Sequence, residues 1–120
     1  MTKMLTNLQE RIIARILAMS VSTSLYLREG HVNSLNNLKK KGFIDEHAYT
    51  MIQTHHLTPA GKTAFFADND EVFAIEDIYD NCWIIFEDRK VIAQPRSEAN
   101  AQRIVQALKA LRAQEHRVAA

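Results

Sequence analysis

Cysteine occurs once in this chain, at Cys82, so no disulfide can form within it. A solitary thiol fits a reducing compartment, and a cytoplasmic location is expected on that ground. Nowhere does an apolar run approach the roughly 20 residues that a membrane-spanning helix needs. The opening stretch, MTKMLTNLQERIIARILAM, carries charges inside its apolar part. That excludes the unbroken apolar core of a secretory signal, and the stretch reads as a helix. Glycine and proline are scarce, three and two among 120 residues. No low-complexity segment or internal repeat interrupts the chain. There is no glycine-rich phosphate loop, nucleophile elbow or zinc-protease motif, so neither an enzyme nor a cofactor is expected. A metal site needs three or four converging ligands. His55 and His56 are adjacent, but Cys82 lies far along the chain, and no metal is expected. Cys82, beside Trp83 at a strand start, reads as a core thiol.

Net charge is also small, at +1, and that total hides an uneven layout. Residues 1–66 hold eight Lys/Arg and four Asp/Glu, net +4. Residues 67–88 hold eight acids and no Lys or Arg, net −8, and residues 89–120 carry +5. Two basic parts therefore flank an acidic strip. Apolar residues at 47% and charged residues at 24% are ordinary for a folded chain. The length suits one compact domain or two very small units.

Hydrophobic spacing then locates the elements. Thr6 and Gln9 form a capping box, and Leu8, Ile12, Ile13, Ile16 and Leu17 recur at helical spacing to about Met19. SVSTSLYLREG suggests a short second helix over about 22–29, stopped by Gly30. Val32, Leu35 and Leu38 make the inward stripe of a helix over about 31–41. Lys39, Lys40 and Lys41 oppose the negative end of its dipole, and Gly42 ends it. HAYTMIQTHHLT favours extended structure, as one strand or two very short ones. Thr58 caps a following helix with Pro59 at its first position, running to about Phe66. The acidic strip, ADNDEVFAIEDIYDN, is compatible with a short helix or an extended arm. CWIIFEDRKVIAQ reads as a β-hairpin whose turn lacks an Asn-Gly or Asp-Gly signature. Ser97 can cap a last helix with Ala101, Ile104, Val105, Leu108 and Leu111 on its apolar side.

Two motifs carry a resemblance. LNNLKKKGFI resembles the end of the recognition helix and the next strand in MarR- and PadR-like regulators. LTPAGKTAF resembles the segment that leaves the wing and opens the following helix there. They occur in that order with a wing-sized gap, within about residues 6–66. The resemblance implies an α+β chain: a winged helix-turn-helix followed by a β-hairpin and C-terminal helix. The boundaries are 1–66 for the winged helix, 67–81 for an acidic connector and 82–120 for the hairpin and helix. It implies a transcriptional regulator binding double-stranded DNA. His31, Asn33, Ser34, Asn36 and Asn37 would face the major groove, with Lys39, Lys40 and Lys41 by the backbone. The wing departs from the family pattern, since DEHAYTMIQTHH holds no Lys or Arg. The region DNCWIIFEDRKVIAQPRSEANAQRIVQALKAL resembles a unit of many short phage-encoded proteins, which implies a phage or mobile-element context. The other expectation is an interaction protein that inhibits a host protein complex, using Asp68, Asp70, Glu71, Glu76, Asp77 and Asp80. A homodimer joined by helix 1 and the last helix is also expected, from their continuous apolar stripes.

Overall fold

A computed structural model describes residues 3–119, with side chains to residue 115. The chain is α+β and divides into two units, Met1–Asn69 and Asp70–Ala120.

In the first unit, α1 spans Asn7–Ala18. Its start is the capping box read from the sequence: Gln9 N–H donates to Thr6 Oγ1 at 3.2 Å, and Thr6 N–H donates to Gln9 Oε1 at 3.0 Å. Ile12, Ile13 and Ile16 are buried, and α1 packs on the later helices α2 (Val32–Lys40) and α3 (Pro59–Ala67).

The expected helix over 22–29 is not formed. Ser24–Tyr26 is strand β1, and a single 3-10 turn, Glu29–His31, leads into α2. Side-chain spacing explains the strand. Leu25 and Leu27 are buried and Tyr26 between them is exposed, which is a period of two and not of 3.6. Ser20, Ser22 and Thr23 bond one another through their hydroxyls in the turn before the strand. Such residues compete with helical backbone bonding. The partner is β2, Met51–Gln53, antiparallel with Ser24 opposite Gln53 and Tyr26 opposite Met51.

α2 ends in a Schellman motif. Phe43 N–H donates to Leu38 O and Gly42 N–H to Lys39 O, at 3.0 and 3.1 Å, with Gly42 at φ 77°. Only glycine takes that backbone conformation at low cost.

In the second unit, the acidic segment supplies strand β3, Val72–Glu76. It pairs antiparallel with β4, Trp83–Glu87, which pairs with β5, Lys90–Ala93, giving the order β3-β4-β5. Asp88 and Arg89 form the two-residue turn, both at positive φ (50° and 69°), as a type I′ turn requires. Ser97 Oγ accepts from Asn100 N–H at 3.1 Å and caps α4, Glu98–Ala119. Ala101 and Val105 of α4 pack with Val72 and Ile85 of the sheet, and Ile104, Leu108, Trp83 and Ala93 close round them.

Candidate nucleic-acid interface

The two sequence motifs meet through one threonine. Thr58 Oγ1 accepts from Gly61 N–H at 3.1 Å, which caps α3, and donates to Gly42 O at 2.7 Å. Thr58 N–H donates to Phe43 O at 3.1 Å, and Asp45 N–H to His56 O at 2.8 Å, with Ile44 bridged to Leu57. The roots of the 45–56 loop are thus fastened between the end of α2 and the start of α3. Gly61 is a consequence of this closeness. A Cβ there would overlap Phe43 O and lie 2.9 Å from Phe43 C and 3.0 Å from Leu57 Cδ1.

On α2, Leu35 and Leu38 are fully buried, each contributing about 1.5–3 kcal/mol. Their burial turns the opposite side to solvent. Asn33, Asn36, Asn37 and Lys40 are exposed at spacings of three, one and three, a single helical stripe. Ser34 and His31 are half-buried at its margin, and His31 belongs to the 3-10 turn. The three lysines part company. Lys39 Nζ donates to Ala48 O at 2.6 Å and lies 4.9 Å from the Tyr49 ring centroid. Lys41 Nζ donates to Met4 O at 3.1 Å. Among the described residues Lys40 makes no hydrogen bond or ion pair. One lysine of the three therefore stands open beside the asparagines.

The loop itself carries imidazoles where a basic tip was missing from the sequence. His56 Nδ1 accepts from Gln53 N–H at 3.0 Å, which requires the neutral ring. Burial, with His55 beside it, holds the His56 pKa below the ordinary value. Asp45 accepts from the backbone and ring of His47, which lowers its pKa. Among the described residues no three His, Cys, Asp or Glu side chains converge as a metal site.

The acidic candidates do not form one open face. Asp68 accepts from Met4 N–H and Leu5 N–H at 3.2 and 3.0 Å, fixing the N-terminal segment to the end of α3. Asp70 pairs with Lys109 at 3.6 Å, and Glu71 with Arg112 at 2.6 Å. Asp77 is buried, and its Oδ1 accepts from Tyr79 and Asp80 N–H at 3.0 Å each, an Asx turn. Glu76 and Asp80 are exposed. Arg112, unremarked in the sequence, also holds Asp88 through two hydrogen bonds of 3.0 and 3.1 Å and Glu87 at 3.6 Å. Bonding from Arg112 lowers the Asp88 pKa, and the arginine is raised in turn. Spacing along α4 could have suggested Arg112, but not which three carboxylates of the sheet it meets.

Both stripes expected to carry a homodimer are used inside the chain, by the contacts of α1 and α4 described above. Leu111 of α4 is exposed. Among the described residues no helix is long and apolar enough to cross a membrane. Compared with known proteins, the chain matches no family model, no curated protein and no solved structure.

Proposed function

We propose that Met1–Asn69 is a winged-helix module that binds double-stranded DNA through α2, in a transcriptional regulator of phage or mobile-element type. The observation that carries this reading is the exposed stripe of Asn33, Asn36, Asn37 and Lys40. Asparagine is a weak helix former, and three in nine residues cost a few tenths of a kcal/mol each. An asparagine amide bonds an adenine edge at two points, and a lysine beside it neutralises a phosphate. The loop fastened between α2 and α3 supports the reading as its wing. A gel-shift salt series tests it. Lys40→Ala should weaken binding across sequences and reduce the salt slope by about one. Asn36→Ala should lose about 1–3 kcal/mol of discrimination at one base pair. If both variants bind duplex as the wild type does at every salt concentration, α2 is not the reading helix.

One observation favours a second reading. A 3-10 turn stands where the helix-turn-helix has its first helix, so the element that crosses the DNA backbone is missing. In this reading the same stripe contacts a host protein complex and inhibits it. Pull-down of one defined complex, released by Lys40→Glu and unaffected by nuclease, would select it.

A further inference from the structure

Asn33, Asn36 and Asn37, all exposed on the α2 stripe, offer one and the same chemistry. An asparagine inside a helix commonly bonds back to the backbone. Among the described residues none of these three side-chain amides makes a hydrogen bond. Each therefore keeps an acceptor oxygen and an amino donor for a ligand. The stripe holds no arginine, and α2 holds no Asp or Glu. Lys40 stands one turn past Asn37, at the C-terminal end. Glu29, the nearest acid along the chain, precedes the helix in the 3-10 turn, at the other end from Lys40. Spacing narrows the ligand further. At a rise of about 1.5 Å per residue, Asn33 and Asn37 lie about 6 Å apart along the helix, with Asn36 between them. Base pairs stack about 3.4 Å apart, so a helix lying along the groove sets all three amides within about two steps of a duplex.

We propose that α2 selects a run of two or three adjacent adenines on one strand of the duplex. This rests on the duplex reading given above and names the sequence class that the same site takes. The major-groove edge of adenine presents the N7 acceptor beside the N6 amino donor, and one amide meets both. Guanine presents two acceptors there, which leaves the amide oxygen without a partner. Cytosine presents only a donor and thymine only an acceptor beside its methyl group, so each takes one bond. Guanine suits arginine or lysine, and the stripe has one lysine, beyond the asparagines. The charges of Lys40 and Glu29 act on the phosphates of every duplex alike, so they set affinity and not the choice of base.

Selection by the full chain from a random duplex library, at about 50 mM salt, should enrich such a run. Gel shift then compares the enriched duplex with copies whose adenines are replaced one at a time by 7-deazaadenine. That base lacks the N7 acceptor and keeps its pairing with thymine. Each replacement should weaken wild-type binding about fivefold or more. In Asn33→Ala, Asn36→Ala and Asn37→Ala, one position each should lose its sensitivity while the others keep theirs. Alanine is the better helix former at these exposed positions, so the variants keep the helix. Lys40→Ala should weaken every duplex alike and leave the preference unchanged. Duplex binding with a salt slope that Lys40→Ala reduces, but without enrichment of adenine, overturns this inference and leaves the duplex reading standing. An enriched adenine run indifferent to 7-deazaadenine is read by its shape and overturns the inference too. So do three asparagine variants that keep the wild-type sensitivity at every position. No binding of duplex at any salt concentration overturns both.

Discussion

Gly61→Ala should destabilise the protein, although the same change in most helices does the opposite. Gly61 lies in α3, where alanine is favoured over glycine by roughly 1 kcal/mol on helix propensity. Against that stands the carbonyl of Phe43. An added Cβ overlaps its oxygen and comes within 2.9 Å of its carbon. Both atoms are backbone and cannot swing aside as a side-chain tip would. Forcing a methyl group into a packed site costs about 1–3 kcal/mol. Moving Phe43 also strains its 3.1 Å bond from Thr58 N–H, a further loss of about 1 kcal/mol. The balance is a net loss of about 2 kcal/mol, or roughly 10 °C in Tm for a unit of this size. Trp83 belongs to the other unit, so its fluorescence is the wrong probe. Urea denaturation followed by far-UV circular dichroism gives the stability. Hydrogen exchange at the Thr58 and Gly61 amides gives the local opening. Ala60→Gly, at the exposed neighbouring position, is the reference and should cost about 1 kcal/mol by propensity alone. A Gly61→Ala variant as stable as the wild type, or more so, would refute the close approach of α3 to Phe43.

Thr58→Ala removes both the cap of α3 and the bond to Gly42 O, and should cost about 1–2 kcal/mol in the same denaturation assay. Thr58→Ser keeps the hydroxyl and should recover most of that loss; a serine variant as weak as alanine would show that the hydroxyl is not the cause. Glu10 is buried on α1, and burial raises its pKa above 4.5, only partly opposed by Lys3 at 3.5 Å. The folded state therefore holds the Glu10 proton more tightly than the unfolded chain. The resulting stability is complete in acid and is lost as pH rises through the raised pKa. Glu10→Gln, uncharged throughout, should be at least as stable as the wild type near neutrality, with the two converging below about pH 4. Melting curves across that range would reveal the opposite ranking if the Lys3 pair outweighs burial.

Much of the first unit was legible where a signal is local. The Thr6–Gln9 box, the Leu35–Leu38 stripe, the Gly42 stop and the Thr58–Pro59 start each rest on bonds within a few residues, and each forms as expected. Residues 24–26 were not legible in this way. Their strand exists because Met51–Gln53 arrives beside them, far along the chain, and strand preference depends on such a partner. β3 in the acidic strip has the same origin, since it follows from pairing with β4. The lysines show the limit for a candidate site. Three consecutive residues of one kind look equivalent in sequence, yet Lys39 and Lys41 bond to distant carbonyls and Lys40 does not.

Sequence by itself determined the capped starts of α1, α3 and α4, the glycine stop of α2, which sides of these helices are apolar, and that Asn33, Asn36 and Asn37 face away from Leu35 and Leu38. These follow from helical periodicity and from capping chemistry, which need no distant partner. Tertiary structure alone decided that Gly61 meets Phe43, that Lys39 leans on Tyr49, that Asp77 is buried and that Arg112 gathers Glu71, Glu87 and Asp88. Each of these depends on which surfaces are brought within a few ångströms by long-range packing, and no spacing along the chain encodes that distance.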